Sequence, residues 1–223
     1  MNVMILAAGR GERLRPLTDS IPKPLVKVAG QTLLGRHLER LAAAGFTRAV
    51  INVSHLAKLI VAHFGDGSRL GMKIDWSHEA VPLETAGGIA QARELLGPEP
   101  FLVVNADLWC NYEFSALRGF DLGRRLSHLV LVPNPPQHPA GDFSLDNNLI
   151  GNAASPRYTY AGIAVISPQL VAGVAAGTKA PLAPLWRAAA ECGEVTGELY
   201  AGHWNDVGTP ERLSALEARL KNS

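Results

Sequence analysis

Apolar positions along this chain fall into two alternating patterns. Val3–Ala8, Ala49–Val53, Met72–Trp76 and Phe101–Asn105 are short apolar runs that read as strands, the first and last buried on both faces. Between them the spacing turns helical. Gly30–Ala44 places Leu33, Leu34, His37, Leu38 and Leu41 near one face and ends at Gly45; Leu56–Phe64 closes at Gly65; Thr85–Leu96 opens on Thr85 and closes at Gly97. This alternation predicts a parallel sheet with right-handed crossovers.

The pattern loosens in the second half. Leu129–Val132 reads as a strand leading into a proline-rich loop, Pro133–Gly141. Phe143–Ile150, centred on Asp146-Asn147-Asn148, reads as a hairpin, and Arg157–Ile166 as a further strand. Ala183–Cys192 predicts a helix, Glu198–His203 leads to a short strand, and Pro210–Leu220 is a last helix begun by Thr209. No repeat, low-complexity tract or linker divides the chain, so residues 1–223 are expected to form one α/β domain, its later hairpins making a small lobe over the sheet edge.

Composition narrows the function. Hydrophobic residues at 47% against 18% charged argue against disorder. A net charge of +1 argues against a nucleic-acid or membrane-surface partner, so any polyanion must be held by a local cluster of positive charge. Met1–Gly9 runs straight into Arg10, Glu12, Arg13 and Arg15 with no cationic region before it, and so reads as a buried strand and not as a signal peptide. The longest apolar candidate for a membrane span, Ala161–Gly177, is broken by Pro168 and Gln169. Two isolated cysteines, Cys110 and Cys192, offer neither a disulfide framework nor a metal quartet, and seven histidines show no metal-like pairing. The expectation is a soluble, cytoplasmic protein, a monomer or weak homodimer.

The sharpest segment is residues 6–30, LAAGRGERLRPLTDSIPKPLVKVAG. Glycine after a buried strand lets bare N–H groups approach phosphate oxygens. The dinucleotide fingerprint would require a third glycine at position 14, where Leu14 stands, and no Gly-Lys-Ser/Thr loop is present. Charge follows the glycines: Arg10, Arg13, Arg15, Lys23 and Lys27 against Glu12 and Asp19, an excess of three. Lys23 sits between Pro22 and Pro24, which preset its backbone and reduce the entropy lost on ordering it.

Gly9, Gly11, Arg13, Leu14, Pro16, Leu17, Thr18, Pro22, Lys23, Pro24 and Leu25 together resemble the nucleotide-binding signature of the sugar-1-phosphate nucleotidyltransferases. The resemblance implies a Rossmann-like three-layer sandwich with a mostly parallel central sheet. It implies Arg13 and Lys23 as catalytic contacts to the triphosphate, with Ala7, Ala8, Gly9, Gly11 and Asn105 around the nucleotide. Asp107, after the strand ending at Asn105, and Asp206, in Trp204-Asn205-Asp206-Val207-Gly208-Thr209-Pro210, match the family's acidic positions and imply a Mg²⁺ site. Glu84-Thr85-Ala86-Gly87-Gly88 is similar to the family's base-recognition stretch, implying Glu84, Thr85, Gly87 and Gly88 as nucleotide contacts. Tyr160 and Gly162 resemble the strand beside the sugar, with Asn205 near it. The family's Glu-Lys-Pro segment is absent, and Arg157 is the nearest basic residue to take the sugar phosphate by two parallel hydrogen bonds.

The chain ends soon after Asp206, with no room for the additional domains of many relatives. This compact form resembles the N-acetylmuramate-1-phosphate uridylyltransferases of bacterial cell-wall recycling, and also small mannose-1-phosphate guanylyltransferase-like proteins. It implies condensation of UTP with a sugar 1-phosphate, N-acetylmuramate 1-phosphate before the GTP and mannose 1-phosphate pair. A non-catalytic sugar-nucleotide sensor is the rival of another class; loss of Arg13, Lys23 or either aspartate would favour it, and all four are present.

Overall fold

The structure is a computed structural model that describes residues 1–221. Its strands are β1 (Val3–Leu6), β2 (Lys27–Val28), β3 (Gln31–Thr32), β4 (Arg48–Val53), β5 (Lys73–His78), β6 (Phe101–Asn105), β7 (Leu108–Cys110), β8 (Ser127–Val132), β9 (Phe143–Asp146), β10 (Leu149–Gly151), β11 (Arg157–Ile166), β12 (Val195–Leu199) and β13 (Trp204–Asp206). Its α-helices are α1 (Leu17–Ser20), α2 (Leu33–Ala43), α3 (Ala57–Phe64), α4 (Glu84–Gln91), α5 (Arg93–Leu96), α6 (Ala183–Glu191) and α7 (Pro210–Lys221). Among the described residues no helix is long and apolar enough to cross a membrane.

One sheet has the order β5-β4-β1-β6-β11-β8-β12-β10-β9. The first four strands run parallel, as the apolar runs predict. Beyond β6 the sheet is mixed: β11 is antiparallel to β6, β8 and β9, β8 and β12 are parallel, and β10 is antiparallel to its neighbours β12 and β9. This corrects the expectation of a mostly parallel sheet, because the second half joins its strands by loops and a hairpin where the first half uses crossover helices. The hairpin β9–β10 turns at Asn147 and Asn148 (φ 46° and 64°), as asparagines there favour, but it extends the sheet edge where a lobe above it was expected.

Period-two alternation divides the core. Val3, Ile5, Ala49, Ile51, Leu102 and Val104 pack on one face with Leu34, Leu38 and Leu41 of α2 and Ile60 of α3. Met4, Val50, Phe101 and Val103 pack on the other with Ala86 and Ile89 of α4, Leu96 of α5 and Trp186 of α6. A third cluster, with Val28, Leu33, Trp109, Val207 and Leu216, seats α7 against β2. The single helix expected over Thr85–Leu96 is broken at Ala92, and the segment expected as loop from Gly9 to Val28 contains α1 and two 3-10 turns, Glu12–Leu14 and Lys23–Leu25.

Candidate active site

The strand order reverses at β1: the chain steps outward from β1 through β4 to β5, then returns to place β6 on the other side. Open α/β sheets leave a crevice at the carboxyl ends of the strands at such a point. Here it is a cleft of about 1040 Å³ whose walls include Ala7, Ala8, Gly9 and Gly11 after β1, Asn105 and Asp107 at the end of β6, and Glu84 and Thr85 at the start of α4. Arg13 and Lys23 face the same cleft. A second cavity of about 320 Å³ lies beside it and shares Arg13, Asn105 and Asp107 as a common wall.

The basic loop is fixed at several points. Gly11 is left-handed (φ 65°), and a Cβ there would meet Thr18 Cγ2 at 2.9 Å and Lys23 Cβ at 3.3 Å, so the turn needs both the dihedral and the missing side chain. The Thr18 hydroxyl donates to the Gly11 carbonyl (2.8 Å). Pro22 and Pro24 are buried, which leaves the Lys23 side chain 12% exposed. Its ammonium donates to Asp107 Oδ2 at 2.6 Å. By contrast, Gly9 has open space where a Cβ would be: no protein atom lies within 4 Å.

Two short strands bring the aspartates together. β13 pairs antiparallel with β7, with Asp206 opposite Leu108, and the Val207 N–H donates to the Asp107 carbonyl (2.9 Å). Both carboxylates line the second cavity, where Asp206 accepts from Gln137 Nε2 (3.1 Å) and forms an ion pair with Arg212. Behind this wall His37 is fully buried, and desolvation pushes its imidazole down to about 4, which keeps it neutral at ordinary pH.

Gly162 (φ 78°) lies in a bulge of β11, and a Cβ there would meet Leu108 Cδ1 at 2.8 Å and Asn105 Nδ2 at 2.9 Å. Gly162 and Tyr160 line the second cavity, but the Tyr160 ring packs edge-on against Trp186 (4.7 Å) and its buried hydroxyl lacks a hydrogen-bond partner among the described residues. Burial pushes that phenol well up from its ordinary value.

Four expected contacts lie elsewhere. The Arg157 guanidinium donates to the Asp142 carbonyl (2.5 Å) and lines neither cavity. Asn205 sits opposite Trp109 in the β7–β13 pair and also lines neither. A Cβ at Gly87 would run into the Thr178 carbonyl oxygen; one at Gly88 would lie 2.6 Å from Asn52 Nδ2 and 2.7 Å from Glu79 Oε1. These two glycines pack the start of α4 closely against its neighbours, and the Gly87 N–H is taken by the Ala180 carbonyl (3.1 Å).

The cleft also uses residues the sequence reading passed over. Asn52 accepts from the Ala7 N–H (2.8 Å) and donates to Glu79 (2.7 Å), whose other oxygen accepts from the Leu83 N–H (2.9 Å). This buried chain ties the ends of β1, β4 and β5 to α4. A polar residue inside the apolar run Ala49–Val53 was the available signal for Asn52. Lys179 pairs with Glu84 (3.3 Å) across the cleft mouth, and Arg212 lines the second cavity from the first turn of α7; both are lone cations without a motif.

Known proteins resemble the chain over this same frame. The sequence model of the nucleotidyl transferase family matches residues 2–143. The N-acetylmuramate alpha-1-phosphate uridylyltransferase of Neisseria meningitidis is 47% identical over 98% of this chain and 97% of its own length. The enzyme of the same name from Caulobacter vibrioides is 37% identical over 97% of this chain and 96% of its own. A solved structure described as a glucose-1-phosphate thymidylyltransferase, from Bacillus anthracis, superposes with a TM-score of 0.87 over 100% of this chain and 96% of that one; at 17% identity the agreement is one of fold. The family model over residues 2–143 and two relatives similar along nearly the whole chain show that it belongs to the nucleotidyl transferase family, among the sugar-1-phosphate nucleotidyltransferases.

Proposed function

We propose that this chain condenses UTP with N-acetylmuramate 1-phosphate to give UDP-N-acetylmuramate and pyrophosphate. The observation that carries the reaction type is the common wall of the two cavities. A nucleotide in the larger cleft and a sugar phosphate in the smaller one would meet at Arg13, Asn105 and Asp107. The choice of UTP and N-acetylmuramate rests on the two named uridylyltransferases and their near full-length similarity.

A sugar phosphate is already anionic near neutral pH, so it needs no general base. One of its oxygens attacks the α-phosphorus in line, a phosphorus–oxygen bond forms, the α–β anhydride bond breaks, and pyrophosphate carries away the electron pair. The barrier is the approach of two anions, which positioning and charge neutralisation lower. Arg13 and Lys23 supply fixed positive charge at the meeting point, and the bare backbone at Gly9 admits the phosphates.

Asp107 and Asp206 suit Mg²⁺, which takes one or two carboxylates and completes its shell with water and substrate phosphates. The described residues hold no group of three or more acidic, histidine or cysteine side chains that would make an all-protein cage. Held by these two carboxylates, Mg²⁺ would supply neutralisation of phosphate charge, beside the charge of Lys23 on Asp107.

The test is a panel of nucleoside triphosphates crossed with sugar 1-phosphates, read as pyrophosphate release. UTP with N-acetylmuramate 1-phosphate should be fastest. A clear preference for GTP with mannose 1-phosphate would replace the substrate assignment, and no release from any pair would remove the reaction.

A further inference from the structure

We infer that Arg212 is the residue that grips the phosphate of the sugar substrate. The inference rests on the reaction proposed above but adds a residue to it. Arg157, which the sequence offers for this task, is turned to the Asp142 carbonyl and stands outside both cavities. The smaller cavity has its own guanidinium. Arg212 lies in the first turn of α7, its N–H capped by the Thr209 hydroxyl (3.4 Å), and its side chain lines the cavity together with Asp206, Asp107 and Arg13.

Three features point to an anion there. The first is the pairing. Lys23 is held by Asp107 on the nucleotide side, and Arg212 by Asp206 on the sugar side. Each wall thus presents a cation beside a carboxylate, and the two carboxylates are those that would hold Mg²⁺. The second is convergence of like charge. At Gly208 a Cβ would lie 2.9 Å from Arg212 Nη1, 3.2 Å from Arg13 Nη2 and 3.2 Å from Asp206 Oδ2, so two guanidinium groups converge on one bare backbone position with a single carboxylate between them. The third is spare capacity. A guanidinium carries five N–H donors. Among the described residues the Arg212 side chain has Asp206 as its hydrogen-bond partner, and it is 24% exposed. The remaining donors match the two-point geometry by which arginine holds phosphate oxygens.

Steady-state kinetics on Arg212→Ala and Arg212→Lys test this, with each substrate varied at saturating levels of the other. Arg212→Ala should raise KM for the sugar 1-phosphate on the order of tenfold or more, the scale of one lost charge-assisted contact. KM for UTP should stay within about twofold, which also shows that the variant is folded, and Arg212→Lys should recover part of the loss because it keeps the charge. An unchanged KM for the sugar phosphate, with a fall in turnover that added Mg²⁺ restores, would make Arg212 a holder of Asp206 and overturn the inference. Calorimetric binding of N-acetylmuramate 1-phosphate, with Mg²⁺ and α,β-methylene-UTP present, separates the two ideas. Wild type without turnover is a failure of the reaction, whereas equal sugar-phosphate binding by wild type and Arg212→Ala is a failure of the inference.

Discussion

The larger cleft and the smaller cavity share a wall, yet they are assembled in opposite ways. The cleft draws much of its lining from consecutive residues at and after the end of β1, from Leu6 to Arg13, with Lys23 and Pro24, and presents bare backbone and a lysine fixed between prolines. The smaller cavity collects its lining from separate stretches of chain, among them Asn105, Asp107, Gln137, Thr159, Trp204, Asp206 and Arg212, brought together by the antiparallel half of the sheet and the β7–β13 pair. A site made of backbone needs special dihedrals and close approaches, so glycine and proline mark it in the chain. A site made of distant side chains leaves no local mark. The difference teaches where each should fail: the cleft through its loop, the cavity through individual charges.

The largest effect should come from the shared wall, where both modes meet. Asp107→Asn and Asp206→Asn should each lower turnover on the order of a thousandfold, the upper end of what one preorganised electrostatic group contributes. Activity should vanish in excess chelator and return with Mg²⁺. Circular dichroism should show both variants folded, since each aspartate is only partly buried. A near-wild-type rate in either variant would take that residue out of the metal site.

Next is the caged lysine. Lys23 and Lys27 are close in sequence, but Lys23 is enclosed by buried prolines while Lys27 is exposed on β2. Lys23→Ala should cut kcat on the order of a hundredfold, because a contact made mainly in the transition state lowers turnover more than affinity. Lys27→Ala should stay near wild type. Equal damage from the two, or a rise in KM alone for Lys23→Ala, would refute the idea that the prolines preset a transition-state contact.

Glycines then separate ligand space from packing space. At Gly9 a methyl group meets no protein atom, so Gly9→Ala should leave the melting temperature unchanged and raise KM for UTP severalfold or more. At Gly87 the methyl group runs into the Thr178 carbonyl, so Gly87→Ala should destabilise the fold by about 1–3 kcal/mol, the usual scale of overpacking. Thermal denaturation alongside UTP titration distinguishes the two. The reverse result would mean that the open space at Gly9 does not receive phosphate.

The same contrast explains how far the sequence could be read. The four parallel strands, the helices α2 and α3 and the glycine–proline loop follow from local rules, since each buries its own apolar pattern or fixes its own dihedrals. Asp107 and Asp206 were recognisable only through family motifs, because nothing local predicts that β13 pairs with β7. The mixed half of the sheet was missed because antiparallel neighbours such as β6 and β11 are chosen by tertiary packing and not by spacing along the chain. Asn52, Glu79 and Arg212 are ordinary polar residues whose place in the cavity walls comes from the fold around them. Gly87 and Gly88, expected as ligand contacts, also meet a packing need that the motif does not announce, because a Cβ at either would run into the protein itself.

The smallest effect is expected at Glu84, where the cleft departs from its own mode by using a side chain. Glu84 is left-handed (φ 61°) although it carries a Cβ, and such a conformation costs about 1–2 kcal/mol in a non-glycine residue. Glu84→Gly relieves that strain but makes the unfolded chain more flexible, an opposing term of about 0.4–1 kcal/mol. The exposed pair with Lys179 adds little to stability. Stability should therefore change by less than about 1 kcal/mol, with a small gain favoured. What the strain retains must then be visible in binding: a carboxylate held at the cleft mouth, fixing Lys179 over the nucleotide, should make KM for UTP rise a few-fold in Glu84→Gly while kcat holds. Lys179→Ala should reproduce that rise, and the double variant should be no worse than either single one, because both act through the same pair. Additive losses would mean that the two residues meet the nucleotide independently, and an unchanged KM in both would reduce the pair to a surface contact.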